Sequence, residues 1–443
     1  MVGRFPESYK AEVRFAAHVL SALGSRLAPK ATSTLLFIVL MRRSGALVAG
    51  TYSLSIAFLT SGVLLSSFGL EELIVREVAK QPSLSRRYLA NTLLMRSVLA
   101  LLTYGAVAAI ATVVDYHIEV QRIILIQSLA IVPEGLTATM FAVFNANRKF
   151  NWMALVAALV SVFQLAGGGV ALWMGGDLEL LVWLLVTGSV LGTLASGWLC
   201  RGLPPAQSVA PTHRDPYSVQ PRRSQPDWLF CKTQLRLALP FALIVALVSI
   251  DVQLDVFLLS ILRGVAAVGI YSAARTVILA LLLLAQAFRM AIYPVMAKAY
   301  ATSEPELRKV YRQSLRYLLP IALAMTIACM IGAPWVLSFV YGDISTAAVW
   351  SLRILTLHLL VGFLYIPGTR LMIVSNHQAL LSVLLGVSVG INILLNLLLV
   401  PGLGAIGTAT SRATSSILYF LAVQLCVSRY VVPRLGMGPF VQH

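Results

Sequence analysis

The sequence predicts an all-α integral membrane protein with about 12 transmembrane helices in two six-helix lobes. Three observations predict this class: a mean hydropathy of +0.84, a charged fraction of only 12%, and a series of long apolar stretches. Soluble domains carry about 25% charged residues. A soluble chain this apolar could not cover its surface with polar groups, so lipid must solvate much of it.

The individual spans follow from the length that a membrane helix needs, about 20 mostly apolar residues. Glycine-rich turns such as Gly175-Gly176-Asp177 and Pro401-Gly402-Leu403-Gly404 separate several of them. We interpret the first span as a retained helix, because no small-residue cleavage site follows a short apolar core. The predicted spans are 15–41, 45–69, 89–114, 122–144, 153–174, 180–200, 235–261, 265–296, 314–339, 347–374, 379–400 and 405–427.

The basic residues predict the orientation. With the N-terminus inside, 22 of the 34 Lys and Arg fall in inside segments and only four in outside ones. Cytoplasmic loops collect Lys and Arg, so both termini of this multi-pass protein are predicted to be cytoplasmic. The same bias accounts for the formal charge of +17. Without a basic soluble domain, nucleic acid is not an expected partner.

The segment 201–234 divides the chain. Its six prolines among Ser, Gln and Arg favour an extended cytoplasmic linker. The predicted domains are therefore an N-terminal lobe over 1–200, this linker, and a C-terminal lobe over 235–443. The lobes share short motifs, with Gly50-Thr51-Tyr52-Ser53 matching Gly269-Ile270-Tyr271-Ser272. Six helices per repeat give both repeats the same orientation, related by a pseudo-two-fold axis along the membrane normal.

Charged residues inside the spans are the candidates for a binding site, because such residues are costly in lipid and rarely face it. Arg26 and Lys30 lie four residues apart in the first span, with Pro29 between them bending the helix. Arg275 and Arg289 lie in the eighth span. We predict that these four cations face a cavity: Arg26, Lys30, Arg275 and Arg289.

Three acids lie deep in the spans: Asp251, Asp255 and Glu134. Each could bind and release a proton or a cation. Alternatively, Asp251 and Asp255 neutralise Arg26, Lys30 or Arg275 as structural pairs, and Glu134 is a protonated structural acid. Four further arginines lie nearer predicted helix ends, where we expect them to reach the headgroups: Arg96, Arg353, Arg370 and Arg412.

Other kinds of site find no support in the sequence. No glycine-rich phosphate loop follows a strand, which argues against ATP hydrolysis. The six histidines and four cysteines are scattered, so neither a metal site nor a disulfide framework is predicted. The outside loops are short, and we predict no catalytic residues. No cofactor is expected.

Several stretches resemble the polysaccharide-biosynthesis, or lipid-linked oligosaccharide flippase, family. This family, which includes the O-antigen flippases, belongs to the multidrug/oligosaccharidyl-lipid/polysaccharide exporter (MOP) superfamily. The resembling stretches, which follow one another in the family's order, are Phe68–Leu70 with Arg76–Ala79, Asp251–Leu259, Val268–Arg275, and Asn392–Asn396 with Leu399–Ala409.

The resemblance implies a two-lobed transporter of a bacterial or archaeal cytoplasmic membrane that works by alternating access, with helices 1, 2, 7 and 8 lining the cavity. Its expected energy source is a proton or sodium gradient. Its implied substrate is an oligosaccharide on a polyprenyl pyrophosphate, used for cell-surface polysaccharide such as lipopolysaccharide O-antigen. Its implied partners are polysaccharide polymerases and glycosyltransferases. A cationic cavity suits a pyrophosphate, which Arg can hold bidentately.

Two alternatives remain open at this point. A small-molecule cation antiporter of the same superfamily would need an acidic, aromatic pocket, whereas the cavity candidates on the first, seventh and eighth spans are four cations and two acids. An integral-membrane glycosyltransferase, polymerase or ligase would need an exterior catalytic loop.

Overall fold

The computed structural model describes residues 7–82, 85–203, 228–342 and 345–431, and these residues are largely helical. Within these ranges, the backbone alone is described for residues 7–23, 26, 228–230, 240, 243–244, 304 and 430–431. Where the whole connection is described, short turns join consecutive helices, and a π-helical turn, Val427–Val431, follows the last helix. The α-helices are α1 Glu7–Ser67, α2 Leu70–Lys80, α3 Ser85–Val113, α4 Ile118–Ser128, α5 Ile131–Ala146, α6 Phe150–Trp173, α7 Leu178–Cys200, α8 Trp228–Arg263, α9 Val265–Thr302, α10 Glu304–Tyr341, α11 Thr346–Val374, α12 Gln378–Leu403 and α13 Ala405–Cys426.

The predicted spans agree closely with these helices, and the all-α membrane fold is confirmed. In the described part of the chain, ten segments are long and apolar enough to cross a membrane. The first of them, 27–67, has 41 residues and joins the two predicted spans 15–41 and 45–69. Gly45, at φ 77° and ψ −172°, breaks the helical path between them. α13 is rich in small polar residues and is not among the ten, although its bounds match the twelfth predicted span.

The short helix α2 was not predicted. Its 11 residues would extend only about 16 Å, too little to cross a bilayer, so the span criterion missed it. Gly69 precedes it at φ 72°, and a side chain there would also overlap Phe241. The helix is amphipathic and buries one face: Leu70, Leu73, Ile74 and Val78.

Arg96 of α3 lies at the centre of a packed region and does not reach the headgroups, so that expectation is wrong. Its side chain is fully buried, and Nη2 donates to the carbonyl oxygen of Val63 at 2.8 Å. Nη1 lies 3.4 Å from Glu71 Oε1. Burial raises the pKa of the Glu71 carboxyl, and the Arg96 charge opposes that rise. A Cβ on Gly135 of α5 would lie 2.7 Å from Arg96 Nε, so only glycine leaves room for the guanidinium.

The described residues form two compact units. The first comprises the chain up to Val39 together with Ser55–Ser249, and the second comprises Leu40–Leu54 together with the chain from Ile250 onwards. The division into domains 1–200, 201–234 and 235–443 stays a prediction, since most of the proline-rich linker, 204–227, lies outside the described residues.

Candidate functional site

The second unit contains an ion-pair network between α8 and α13. Asp251 and Asp255 are four residues apart and therefore share one face of α8. The guanidinium of Arg412 lies between them: Nη1 donates to Asp251 Oδ1 at 2.9 Å and Nε donates to Asp255 Oδ2 at 2.6 Å. Nη2 also donates to the main-chain oxygen of Asp251. The Arg412 side chain is 12% exposed and that of Asp255 only 2%.

Two side chains from α9 complete this network. The Tyr271 hydroxyl donates to Asp255 Oδ2 at 2.8 Å. Arg275 Nη2 donates to the main-chain oxygen of Val252 at 2.6 Å and lies 3.4 Å from Gln253 Oε1. Asp255 Oδ1 is buried and has no hydrogen-bond partner among the described residues. A single guanidinium thus bridges two carboxylates in a region of low dielectric, where such interactions are strong.

Arg412 lies among small residues on α13. The stretch Gly407–Ser416 is made almost entirely of Gly, Ala, Ser and Thr, which permit close helix packing. The hydroxyls of Ser415 and Ser416 donate to the main-chain oxygen of Arg412, at 3.1 and 2.7 Å. His358 Nδ1 of α11 lies 2.7 Å from Ser416 Oγ. The polar groups of α13 are therefore bonded within the protein.

The two aspartates pair with a residue that was not among their predicted partners. As the alternative to a coupling role, we expected them to neutralise Arg26, Lys30 or Arg275, and we expected Arg412 to reach the headgroups. Instead, Arg412 pairs with both. A signal was available in the sequence: Arg412 lies about two turns inside its helix, between small polar residues. Such a stripe is typical of a helix face packed against protein.

A second group of charges and rings lies on α9, α11 and α13, also in the second unit. Tyr365 and Tyr419 pack edge to face, with ring centroids 5.6 Å apart. The Arg370 guanidinium lies over the Tyr293 ring, 5.9 Å from its centroid. Arg289 is one helical turn before Tyr293 and close enough to Arg370 for the two charges to repel each other. We call these five residues the arginine–tyrosine cluster: Arg289, Tyr293, Tyr365, Arg370 and Tyr419.

The two arginines of this cluster lack an acidic partner within the described part of the chain. Arg370 Nε is buried without a hydrogen bond, and none of the side-chain hydrogen bonds or ion pairs among the described residues involves Arg289. Asp251 is within electrostatic range of the Tyr365 and Tyr419 hydroxyls. Sequence reasoning selected Arg289 but missed Arg370, since depth in a span was its only criterion and Arg370 lies near a helix end.

The remaining predicted site residues belong to the first unit. Glu134 of α5 accepts a hydrogen bond from the Ser189 hydroxyl of α7 at 3.0 Å. Lys30 of α1 is exposed and engages in an interaction within the protein. The side chain of Arg26 lies outside the described residues. Among those that are described, no three His, Cys, Asp or Glu side chains converge on a possible metal position.

Several solved structures share this fold. An inward-facing multidrug resistance MATE family transporter of the MOP superfamily is 15% identical, with 93% of this chain and 99% of that chain covered and a TM-score of 0.69. The lipid II flippase MurJ, in an inward closed conformation, is 14% identical, with 94% and 89% covered and a TM-score of 0.70. A MOP superfamily transporter from Pyrococcus furiosus is 14% identical, with 95% of each chain covered and a TM-score of 0.61. No curated protein sequence matches the chain.

The fold is therefore that of a multi-pass membrane protein, and it is shared with these transporters. The family follows from the sequence itself, because the family model for "polysaccharide biosynthesis protein" matches residues 15–300. The chain belongs to this polysaccharide biosynthesis family, which confirms the resemblance found in its motifs.

Proposed function

We propose that the protein is a flippase that moves a polyprenyl-pyrophosphate-linked oligosaccharide across the cytoplasmic membrane by alternating access. Cell-surface polysaccharide, of which lipopolysaccharide O-antigen is one type, is the proposed destination of the sugar. The family is named for polysaccharide biosynthesis, and one protein of the same fold is named a lipid II flippase. The observation that carries the proposal is that Arg289 and Arg370, the two arginines of the arginine–tyrosine cluster, lack an acidic partner among the described residues.

Two neighbouring guanidinium groups of like charge favour an anion between them. Arg289 and Arg370 repel each other, and Arg370 Nε forgoes a hydrogen bond in a buried position. Leaving such donors unsatisfied costs about 1–3 kcal/mol each, and more for charged groups. A pyrophosphate offers oxygens to both arginines, each held in bidentate geometry, and its charge removes their repulsion.

The three tyrosines suit the sugar portion of the same substrate. Their rings offer apolar faces, while their hydroxyl groups donate and accept hydrogen bonds. Tyr293 is 42% exposed, so part of this surface is open to a ligand. The cluster therefore combines an anion site with an aromatic surface, which is the chemistry that a sugar pyrophosphate requires.

Other parts of the mechanism are proposed on the sequence evidence. Arg26, Lys30 and Arg275 contribute to the cationic site that alternates between the two faces, although the main-chain bond of Arg275 to Val252 leaves it fewer donors than Arg289. A proton or sodium gradient drives the cycle. Glycosyltransferases supply the substrate and a polysaccharide polymerase receives it, with both termini of the flippase in the cytoplasm.

The experiment replaces Arg289 and Arg370 with glutamine, singly and together, and measures protein level and leaflet distribution of the lipid-linked sugar in the same cells. We expect each single variant to insert normally and to lose at least tenfold in flipping, since hydrogen bonds to charged groups contribute about 1.5–3 kcal/mol. Arg316→Gln, an exposed arginine on α10 of the same unit, is the matched control and should flip normally.

The outcomes separate the alternatives. Accumulation of the sugar lipid on the cytoplasmic leaflet at normal protein level supports the flippase. A cation antiporter would instead keep its activity, or gain it, when the two positive charges are removed, because they repel a cationic substrate. An integral-membrane glycosyltransferase or polymerase would change the sugar structure rather than its leaflet. Normal flipping by the double variant would refute the pyrophosphate site.

A further inference from the structure

A groove in the first unit lies between the start of α3 and the end of α7. It is a wide, open depression with a volume of about 420 Å³. Its floor is part of a buried apolar cluster that includes Leu89, with Leu93 and Cys200 packed against it. The lining residues are Arg86, Leu89, Ala90, Leu93, Gly197, Cys200 and Arg201.

The polar end of the groove is cationic. Arg86 Nη2 donates to the main-chain oxygens of Leu203 at 2.8 Å and Arg201 at 3.4 Å, which fixes its guanidinium at the end of α7. Lys149 Nζ donates to the main-chain oxygen of Gly202 at 3.2 Å and adds a third positive charge to this corner. The Arg201 side chain is exposed and forms no hydrogen bond or ion pair among the described residues. None of the lining residues is an acid.

The apolar end of the groove continues into a surface that lipid must cover. On α3, Leu94 and Val98 are 48% and 52% exposed. On α7, Leu194 and Trp198 are 64% and 67% exposed. Arg86 lies at the start of α3 and Arg201 directly follows the end of α7. On both helices, the exposed apolar residues therefore lie further from the helix end that carries the arginine. A ligand that fills the groove therefore has an anionic head and a hydrocarbon tail.

We propose that this groove is a binding site for an anionic phospholipid, with its phosphate at Arg86 and Arg201 and an acyl chain along Leu89 and Leu93. Basic pockets between transmembrane helices are suited to anionic headgroups. The predicted orientation puts this site in the cytoplasmic leaflet. The proposal does not depend on which substrate the protein transports.

Cys200 in the groove provides a probe. We would measure the rate of maleimide labelling of the full-length protein in detergent, titrated with phosphatidylglycerol or phosphatidylcholine. In a C329S/C426S variant the remaining thiols are Cys200 and the buried Cys231. We expect phosphatidylglycerol to slow labelling of Cys200 at least fivefold and phosphatidylcholine to slow it less than twofold. A C200S/C426S variant, which retains Cys329, should show no such difference.

Charge variants made in the C329S/C426S protein, which retains Cys200, test the contact between the arginines and the lipid headgroup. Arg201→Gln should raise the half-saturating phosphatidylglycerol concentration about fivefold, the loss expected for one basic residue at an anionic surface. Arg86→Gln should raise this concentration by a similar factor. If loss of the Arg86 hydrogen bonds impairs folding, Arg201→Gln alone still tests the headgroup contact. Arg148→Gln, an exposed arginine outside the groove, is the control and should behave as the parent does.

Four results would overturn the proposal. Equal protection by phosphatidylcholine would mean an apolar groove without headgroup selectivity, and equal protection by inorganic phosphate would mean a free-anion site. Equal protection of Cys329 would mean a general effect of the lipid on the micelle. An unchanged half-saturating phosphatidylglycerol concentration in Arg201→Gln would mean that Arg201 does not bind the headgroup.

Discussion

Gly50 of α1 and Gly269 of α9 allow two helices to pack backbone against backbone. A Cβ on Gly50 would overlap the main-chain oxygen of Val265, and a Cβ on Gly269 would overlap that of Ala46. Small residues permit such close approach between membrane helices. Both glycines begin the four-residue motifs that relate the two halves of the sequence. The paired motifs thus meet at one helix crossing in the second unit, and their third residues are the buried tyrosines Tyr52 and Tyr271.

Alanine at either glycine should destabilise the protein. The added methyl group meets a main-chain carbonyl, which cannot rotate away as a side chain can, so the helices must separate. We expect a loss of about 1–3 kcal/mol or more for Gly50→Ala and for Gly269→Ala, measured by reversible unfolding in mixed micelles. The control is Gly390→Ala on α12, where a Cβ meets no atom within 4 Å. A parent-like Gly50→Ala would show that the crossing is not tightly packed.

The spans were predictable because lipid imposes a simple rule on the chain. A helix that crosses a bilayer needs a minimum apolar length, and glycine and charged residues mark its ends. Predicted bounds such as 180–200 and 405–427 therefore agree with α7, Leu178–Cys200, and α13, Ala405–Cys426. Helix α2 follows a different rule, since it lies against the protein and its length is set by its own amphipathic face.

The partners of buried charges were not predictable from one sequence. Asp255 and Arg412 are 157 residues apart, and nothing local to either residue identifies the other. Depth within a span selected Asp251 and Asp255, and a carboxylate at such a depth must be compensated. It did not select their partner, because Arg412 reaches both through tertiary packing in the second unit. The same limitation hid Arg96, whose space depends on Gly135 in another helix.

The predicted topology can be tested with reporters. The distribution of Lys and Arg places the Gly175-Gly176-Asp177 turn outside and the segment 201–234 inside. An alkaline phosphatase fused after Asp177 should therefore be active, and one fused within 201–234 inactive, with a cytoplasmic reporter giving the reverse pattern. An active phosphatase in the central segment would contradict both the orientation and the two-repeat arrangement.

Arg412→Gln should reduce folded protein strongly, because it removes the cation that holds both Asp251 and Asp255. Breaking a buried ion pair from one side costs about 3–5 kcal/mol, since the remaining charge is left uncompensated. Thermal unfolding of the purified protein measures the loss. Arg412→Gln combined with Asp255→Asn should recover much of it, because Asp255 is the more buried of the two acids.

The comparison with a second arginine tests whether the rescue is specific. Arg275 bonds to Val252 and Gln253 rather than to an aspartate. Arg275→Gln should therefore cost less stability, and Asp255→Asn should not rescue it. If Asp255→Asn failed to restore the Arg412 variant, the network would not be held by charge compensation.

Glu134 is the acid that we expect to couple transport to an ion gradient. Asp251 and Asp255 already have a resident counter-charge in Arg412, whereas the hydrogen-bond partner of Glu134 is the neutral hydroxyl of Ser189. An acid without a cationic partner in a span can change its charge by binding a proton or a metal cation during the cycle. Glu134→Gln keeps the size of the side chain and an acceptor for Ser189 but removes that charge.

In proteoliposomes, flipping by this variant should no longer respond to an imposed proton or sodium gradient, at a protein stability within about 1 kcal/mol of the parent. Glu119→Gln, an exposed acid on α4, should respond as the parent does. A Glu134→Gln protein that still follows the gradient would assign Glu134 a structural role and return the question of coupling to Asp251 and Asp255.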